Sequence, residues 1–358
     1  MDFGIMTQAK VDDVGLARFA EQLGYAAYVV MDSQLIWSDP YACLALAADR
    51  TTAIEIGTIA VIGTRLAPVT AAAIATINRL APGRTLLALA TGHTAWRMMG
   101  QPPRGLALLE ATIGVVRGLT TGLTVPFRHE GREAPVRLDM AELGFVDTSH
   151  PVSIQVAATG PRATELAGRL ADGVVDPTAA DPARIRQVRT ALAESGAGRP
   201  TTISAPLHVI LLDRGEDPAS DRVVAEAGPT VMLVLHEIYA GLLARQAADG
   251  PPTVMADQLP PPVRAVWKDY CALVDRMPDE TRNLRLHAGH ATYVHPDEWR
   301  FVTPGLVAMT TLTGEQGDVI DKLRELDNAG LDRVYLASAP AFSYASAERF
   351  ARLILSRW

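Results

Sequence analysis

Four short stretches of this 358-residue chain carry residue types that could do chemistry. The turn Thr159-Gly160-Pro161-Arg162 is the most specific of them. Gly160 lacks a Cβ, so a ligand can approach its backbone closely, and Pro161 suits the first position of a helix. Arg162 adds a positive charge beside the free N–H groups of that helix end. The turn therefore predicts a phosphate site, and a plain strand-to-helix turn with a surface arginine is the alternative.

The second stretch is Asp32-Ser33, which follows the apolar run Ala26–Met31. A carboxylate at such a position can hold a substrate hydroxyl or amine, or it can act as a general base. The alternative is that Asp32 caps the following loop. We predict a catalytic role for Asp32 and a substrate contact for both Asp32 and Ser33.

The third stretch is Thr91-Gly92-His93, directly after the predicted fourth strand at Arg84–Ala90. His93 could hydrogen-bond to a cofactor ring or phosphate, or it could transfer a proton. A loop histidine in solvent is the alternative. We predict that His93 contacts cofactor and takes part in catalysis.

The fourth stretch contains His287 and His290, three positions apart. That spacing can hold a metal, but no cysteine is close, and Asp297 and Glu298 do not complete a known metal motif. We therefore predict no metal site here. Both histidines are instead predicted to form part of the wall of a polar substrate pocket.

The elements that position these stretches alternate between apolar strands and amphipathic helices. A helix end, a glycine turn and an apolar strand recur along the chain, for example at Leu170-Ala171-Asp172-Gly173. Eight strands alternating with helices in a chain of this length predict an α/β fold, a (β/α)8 TIM barrel, whose active site lies at the carboxyl ends of the strands. A doubly wound open sheet is the rival, but no G-x-G-x-x-G follows the first strand.

Two regions interrupt the alternation. Residues 122–150 predict a small hairpin before the fifth strand. Residues 216–300 predict a long, mostly helical insertion after a seventh strand at 202–212, with proline breaks at 251–252 and 260–262. We predict a single domain over residues 1–358, in which the insertion is a lid over the barrel mouth or a dimer element.

The composition excludes several classes of partner. The chain has 40 acidic and 33 basic residues, a net charge of −7 and no strongly basic run, so we expect no nucleic-acid partner. No window reaches the roughly 18 uninterrupted apolar residues of a membrane span, and the N-terminus lacks signal-peptide features. We therefore expect a soluble, cytoplasmic protein.

Six motifs together resemble the bacterial luciferase-like flavin-dependent oxidoreductases, and within them the methylenetetrahydromethanopterin-reductase-like branch. The motifs are Phe3-Gly4-Ile5, Glu21-Gln22-Leu23-Gly24-Tyr25, Ser38-Asp39-Pro40-Tyr41, Ala81-Pro82-Gly83-Arg84, Ala157-Ala158-Thr159-Gly160-Pro161-Arg162 and Leu170-Ala171-Asp172-Gly173.

The resemblance implies a cofactor and its contacts. Many members of this branch use coenzyme F420, an 8-hydroxy-5-deazaflavin, and others of the superfamily use FMN. The cofactor phosphate would lie at Thr159–Arg162 and the ring against Ala60 and Val61, on a strand that often has a bulge with a non-prolyl cis peptide. Thr91, Gly92 and His93 would contact the ring or the ribityl chain, and Asp32 would supply the acidic group of the pocket.

Three functions follow from the resemblance. The first is hydride transfer between coenzyme F420 and a small polar organic substrate. The second is an FMNH2-dependent monooxygenase supplied by a separate flavin or F420 reductase. The third is a barrel that has lost its cofactor and acts as a binding subunit. Family members are often homodimers that pack the helices flanking strands two to four.

Overall fold

A computed structural model describes residues 1–196, 201–249 and 258–358 of the chain. The strands are β1 (Asp2–Gln8), β2 (Ala27–Met31), β3 (Glu55–Val61), β4 (Thr85–Ala90), β5 (Val125–His129), β6 (Arg132–Val136), β7 (Ser153–Ala157), β8 (Gly173–Val175), β9 (Thr202–Leu207), β10 (Val209–Leu211), β11 (Leu312–Gly314) and β12 (Arg333–Ala337). The helices are α1 (Gly15–Leu23), α2 (Pro40–Arg50), α3 (Ala67–Leu80), α4 (His93–Met98), α5 (Leu106–Thr120), α6 (Pro161–Leu170), α7 (Pro182–Ser195), α8 (Asp221–Asp249), α9 (Pro261–Val274), α10 (Arg282–Leu286), α11 (Pro304–Thr310), α12 (Gln316–Asn328) and α13 (Ser343–Leu353).

Eight parallel strands close into a barrel in the order β1-β12-β9-β8-β7-β4-β3-β2. The predicted (β/α)8 barrel is therefore confirmed, and the open-sheet alternative is wrong. The antiparallel pair β5–β6 is the hairpin predicted before the fifth barrel strand. Because all barrel strands run the same way, their carboxyl ends meet at one rim.

The chain divides into two compact units. The barrel unit comprises residues 1–207, 321–337 and 351–358, and the helical unit comprises residues 208–320 and 338–350. The helical unit reaches beyond the predicted 216–300 insertion at both ends, and the single-domain description stays a prediction. The proline break at 251–252 lies outside the described residues, whereas the second break coincides with the start of α9 at Pro261.

A core cluster of the barrel unit is formed by apolar side chains from several barrel strands, among them Met6, Val29, Leu86 and Val175. Tyr335 is completely buried there. Gly4 pairs with it in register, and a Cβ on Gly4 would lie 2.8 Å from the tyrosine ring. The glycine of the first strand thus makes room for the largest side chain of the last.

Helix starts follow local sequence rules. Pro40 occupies the first position of α2, and the Asp39 carboxylate accepts hydrogen bonds from the N–H groups of Tyr41 (2.9 Å) and Ala42 (3.3 Å). Asp181 caps α7 in the same way through the N–H of Ala183. These caps satisfy N–H groups that have no acceptor inside the helix.

One strand prediction needs correction. The predicted seventh strand at 202–212 ends in the barrel at Leu207, and the next strand, β10, pairs with β11 in a separate two-stranded parallel sheet of the helical unit. The apolar run continues across both strands, so hydrophobicity could not show where the pairing partner changes.

The helical unit has its own core, which includes Trp267, Tyr270 and Phe301. Within α8, residues 221–242 are long and apolar enough to span a membrane by length and composition alone. Of the 18-residue window that meets this criterion, 61% is buried inside the protein, as in a core helix.

Candidate functional site

The carboxyl ends of β2, β3, β4 and β7 carry most of the predicted site residues. These strands are consecutive neighbours in the barrel. Asp32 follows β2, Val61 ends β3, Gly92 follows β4 and Thr159 follows β7. The barrel therefore brings all four positions to the same rim, as predicted.

Asp32 is buried and has a hydrogen-bond donor on each carboxylate oxygen. Its Oδ1 accepts from Gln34 Nε2 at 2.6 Å. Its Oδ2 accepts from the Val61 N–H at 3.3 Å and from Arg65 Nη1 at 3.0 Å. The second guanidinium nitrogen of Arg65 reaches the Asp39 carboxylate at 2.5 Å.

This arrangement gives Asp32 a positioning task that sequence reasoning missed. Burial raises the pKa of Asp32 above the ordinary aspartate value, and the Arg65 cation is the largest influence opposing that rise. The Asp32 carboxylate holds the end of β3 by accepting the Val61 N–H. Arg65 links the end of β2 to the start of α2, because it pairs with both Asp32 and Asp39.

Ser33, the residue after Asp32, is also buried, and its carbonyl accepts from the N–H of Trp37. The catalytic and substrate roles stay predictions.

The ends of β3 and β4 pack tightly against each other. Ala60 and Val61 are 3% and 8% exposed. Gly92 has φ +80°, and a Cβ there would lie 2.1 Å from Val61 Cγ1. Only glycine fits this position, because the backbone is left-handed and the space is filled. The packing fixes the surface on which the resemblance would place the cofactor ring.

The fourth strand end differs from the sequence prediction in its local structure. Thr91 leads into Gly92, and His93 is exposed as the first residue of the short helix α4, which the sequence did not predict. Trp96 of that helix donates its indole N–H to the Ile62 carbonyl at 3.0 Å. Within the described residues there is no cis peptide bond, so β3 lacks the cis peptide that this strand often has in the family.

The turn Thr159–Arg162 leaves room and charge for an anion. Gly160 precedes α6, and a Cβ there would meet no atom within 4 Å. Arg162 is exposed, and it forms no ion pair with any other described residue. The free helix end, the open space at Gly160 and this cation fit a phosphate group.

Two functional candidates in the same region escaped sequence reasoning. Asp176 follows β8 and is completely buried. Arg184, in the first turn of α7, pairs with Asp176 at 2.8 Å and donates to the Thr159 carbonyl at 2.8 Å. The signal that could have found them is an aspartate directly after a barrel strand with an arginine eight residues later.

His287 and His290 lie in the helical unit, where both are buried, with ring centroids 5.6 Å apart. Burial and the neighbouring imidazoles of His287 and His236 lower the pKa of His290 to about 3. His290 is therefore neutral at physiological pH. A contact with substrate stays a prediction for both residues.

The acidic residues next to these histidines are tied into ion pairs. The Glu298 carboxylate is buried and accepts from Arg285 and from His236, each at 3.2 Å. Asp297 pairs with the same Arg285 at 2.6 Å. In the described part of the chain, no group of three or more His, Cys, Asp or Glu side chains could hold a metal.

Comparison with known proteins identifies the family of this chain. The family model of luciferase-like monooxygenases matches residues 1–333. The chain is 25% identical over 309 residues to 5,10-methylenetetrahydromethanopterin reductase of Archaeoglobus fulgidus, covering 83% of this chain and 81% of that protein. It is 32% identical over 180 residues to F420-dependent glucose-6-phosphate dehydrogenase of Nakamurella multipartita, covering 45% and 50%.

Among solved structures, coenzyme F420-dependent tetrahydromethanopterin reductase of Methanopyrus kandleri superposes with a TM-score of 0.66 at 20% identity, covering 99% of this chain and 98% of that one. At this identity the likeness shows the fold. Together with the family match, it confirms the resemblance stated from the motifs. The chain belongs to the luciferase-like monooxygenase family and is an oxidoreductase of that family.

Proposed function

We propose that this protein transfers a hydride between coenzyme F420 and a small polar organic substrate. The observation that carries the proposal is the turn at the end of β7, where the exposed Arg162, paired with no described carboxylate, lies beside the open Gly160. Relatives with F420-dependent activity support the choice of this cofactor. When bound, a deazaflavin supplies two-electron hydride chemistry.

Different residues of the chain would hold the phosphate and the ring of the cofactor. Arg162 and the first N–H groups of α6 would bind the phosphate. Ala60 and Val61, held by Asp32 and by packing against Gly92, would support the ring. The protein then has to bind and orient the two reactants rather than supply a nucleophile.

Titration with each cofactor tests the proposal. We expect the deazaflavin to bind and Arg162→Met to weaken its binding by about 10- to 100-fold, the range for a charge-assisted phosphate contact. Arg169→Met is the matched control, because Arg169 lies at the other end of α6 and pairs with Glu110. Equal affinities of the two variants would refute the phosphate assignment.

FMN-dependent oxygen insertion is the second candidate, because the matching family model describes monooxygenases. Binding of FMN without binding of the deazaflavin would select it, and a separate flavin reductase would then be needed. Binding of neither cofactor would refute both candidates. The cytoplasmic location and the absence of nucleic-acid partners remain proposals beside this one.

The expected homodimer is also a proposal. Val69 of α3 is 52% exposed and Leu108 of α5 is 42% exposed, on helices that flank the third and fourth barrel strands. Between these helices and the β5–β6 hairpin lies a groove of about 460 Å³. We expect Val69→Glu with Leu108→Glu to convert a dimer to a monomer in light-scattering measurements.

A further inference from the structure

The turn that would hold the cofactor phosphate is braced from the next βα unit. Arg184 Nη2 donates to the Thr159 carbonyl at 2.8 Å, across 25 residues of sequence. Its Nε donates to Asp176 Oδ2 at 2.9 Å, and its Nη1 donates to Gln187 at 3.0 Å. The guanidinium is thus committed to neighbours within the fold, and 18% of the side chain is exposed.

Asp176 is held as firmly as the arginine. Its Oδ1 accepts from the N–H of Thr178 at 2.8 Å and from the Thr178 hydroxyl at 2.6 Å. Its own N–H continues the barrel ladder to the Ser204 carbonyl at 2.8 Å. A completely buried carboxylate with its oxygens satisfied is a rigid anchor for the cation it pairs with.

The direction of the Thr159 carbonyl fixes the direction of the next N–H. In a trans peptide the C=O and the N–H point to opposite sides. Because Arg184 holds the Thr159 carbonyl, the Gly160 N–H points away from Arg184. This N–H donates to no acceptor among the described residues, and a Cβ on the glycine would meet no atom within 4 Å.

We propose that Arg184, anchored by Asp176, is a positioning residue that holds the Thr159–Gly160 peptide with its N–H toward the cofactor phosphate. The inference rests on the proposed function. A glycine allows its preceding peptide to rotate easily, and a rotated peptide would present a carbonyl oxygen to the anion. The Arg184–Asp176 pair opposes that rotation without touching the ligand.

Two ligands, one with the phosphate and one without it, separate the effect of Arg184 on phosphate binding from a general structural effect. The intact deazaflavin cofactor and its ring-plus-ribityl fragment without phosphate are titrated against Arg184→Met and Arg184→Lys. We expect Arg184→Met to lower the affinity for the phosphate-bearing cofactor about tenfold, while the affinity for the fragment stays within about twofold. Arg184→Lys retains a donor and should recover part of the loss.

The matched control is Arg186→Met, which removes the same charge from an exposed position of α7. It should change neither affinity. An equal loss for both ligands in Arg184→Met would overturn the inference, since it would indicate a general structural role. Identical affinities of Arg184→Met and Arg186→Met for the intact cofactor would overturn it as well.

A measurement without cofactor tests the peptide directly. The sequence has four Thr-Gly pairs, so labelling threonine carbonyls with ¹³C and glycine amides with ¹⁵N gives four cross-peaks. The peak lost in Gly160→Ala identifies the turn. In Arg184→Met this peak should shift while the other three stay, and an unmoved peak would overturn the inference.

These experiments distinguish a failure of the proposed function from a failure of the positioning role of Arg184. If the wild-type protein binds no phosphate-bearing cofactor, the proposed function fails, and the spectroscopic arm still decides whether Arg184 sets the peptide. If the wild-type protein binds the cofactor and prefers it to the fragment, but Arg184→Met keeps that preference, only the positioning role fails.

Discussion

Replacing Arg65 by methionine would leave a buried carboxylate without its cation. The Asp32 side chain is 2% exposed and that of Arg65 is 21% exposed. Removing one partner of a buried ion pair costs about 3–5 kcal/mol, whereas an exposed pair contributes about 0.2–1 kcal/mol. Because Asp32 keeps its bonds from Gln34 and Val61, we expect Arg65→Met to lower the free energy of unfolding by about 2–3 kcal/mol.

The loss of unfolding free energy in Arg65→Met should depend on pH in a defined direction. Burial raises the pKa of Asp32 in the folded protein, and the Arg65 cation opposes the rise, so the variant should have a higher pKa still. A folded state with a raised carboxyl pKa binds the proton more tightly than the unfolded state. Stability is therefore lost as the pH rises through that pKa, and the deficit of Arg65→Met should be smaller at pH 5 than at pH 8.

Urea unfolding at both pH values measures the loss of unfolding free energy. The midpoints can be compared only if the m-value is unchanged. Arg169→Met serves as the control, because the Arg169–Glu110 pair is about half exposed on both sides. Adding Asp32→Asn to Arg65→Met should restore part of the stability. A deficit no larger than that of Arg169→Met, or one independent of pH, would refute the buried-pair reasoning.

Two further predictions concern the rim and the helical unit. Gly92→Ala should cost about 2–4 kcal/mol of unfolding free energy, from its φ of +80° and the contact with Val61. Gly160→Ala should stay within about 0.5 kcal/mol of wild type by the same urea titration, since its Cβ meets open space. Equal losses of unfolding free energy in Gly92→Ala and Gly160→Ala would contradict this account. Replacing His287 and His290 by alanine should lower turnover or substrate affinity, and unchanged steady-state kinetics would remove both from the site.

The local sequence was sufficient to predict the barrel. Apolar runs, glycine turns and helix starts such as Asp39-Pro40 depend on neighbours in sequence, so they can be seen without the fold. The rule that parallel strands share one rim then selected Asp32 and the Thr159–Arg162 turn. The short helix α4 and the end of β9 were missed, because packing and pairing decide them.

Only the tertiary structure decided what these residues contact. Arg65 meets Asp32 across 33 residues, and Arg184 meets the Thr159 carbonyl across 25. The sequence around Arg65 does not mark it, and the spacing of Asp176 and Arg184 suggests a pair but does not show the Thr159 carbonyl as a partner, because contacts across the fold leave no local sequence signature. The sequence thus determined which strand ends form the rim, and the closing of the barrel determined which side chains hold those ends in place.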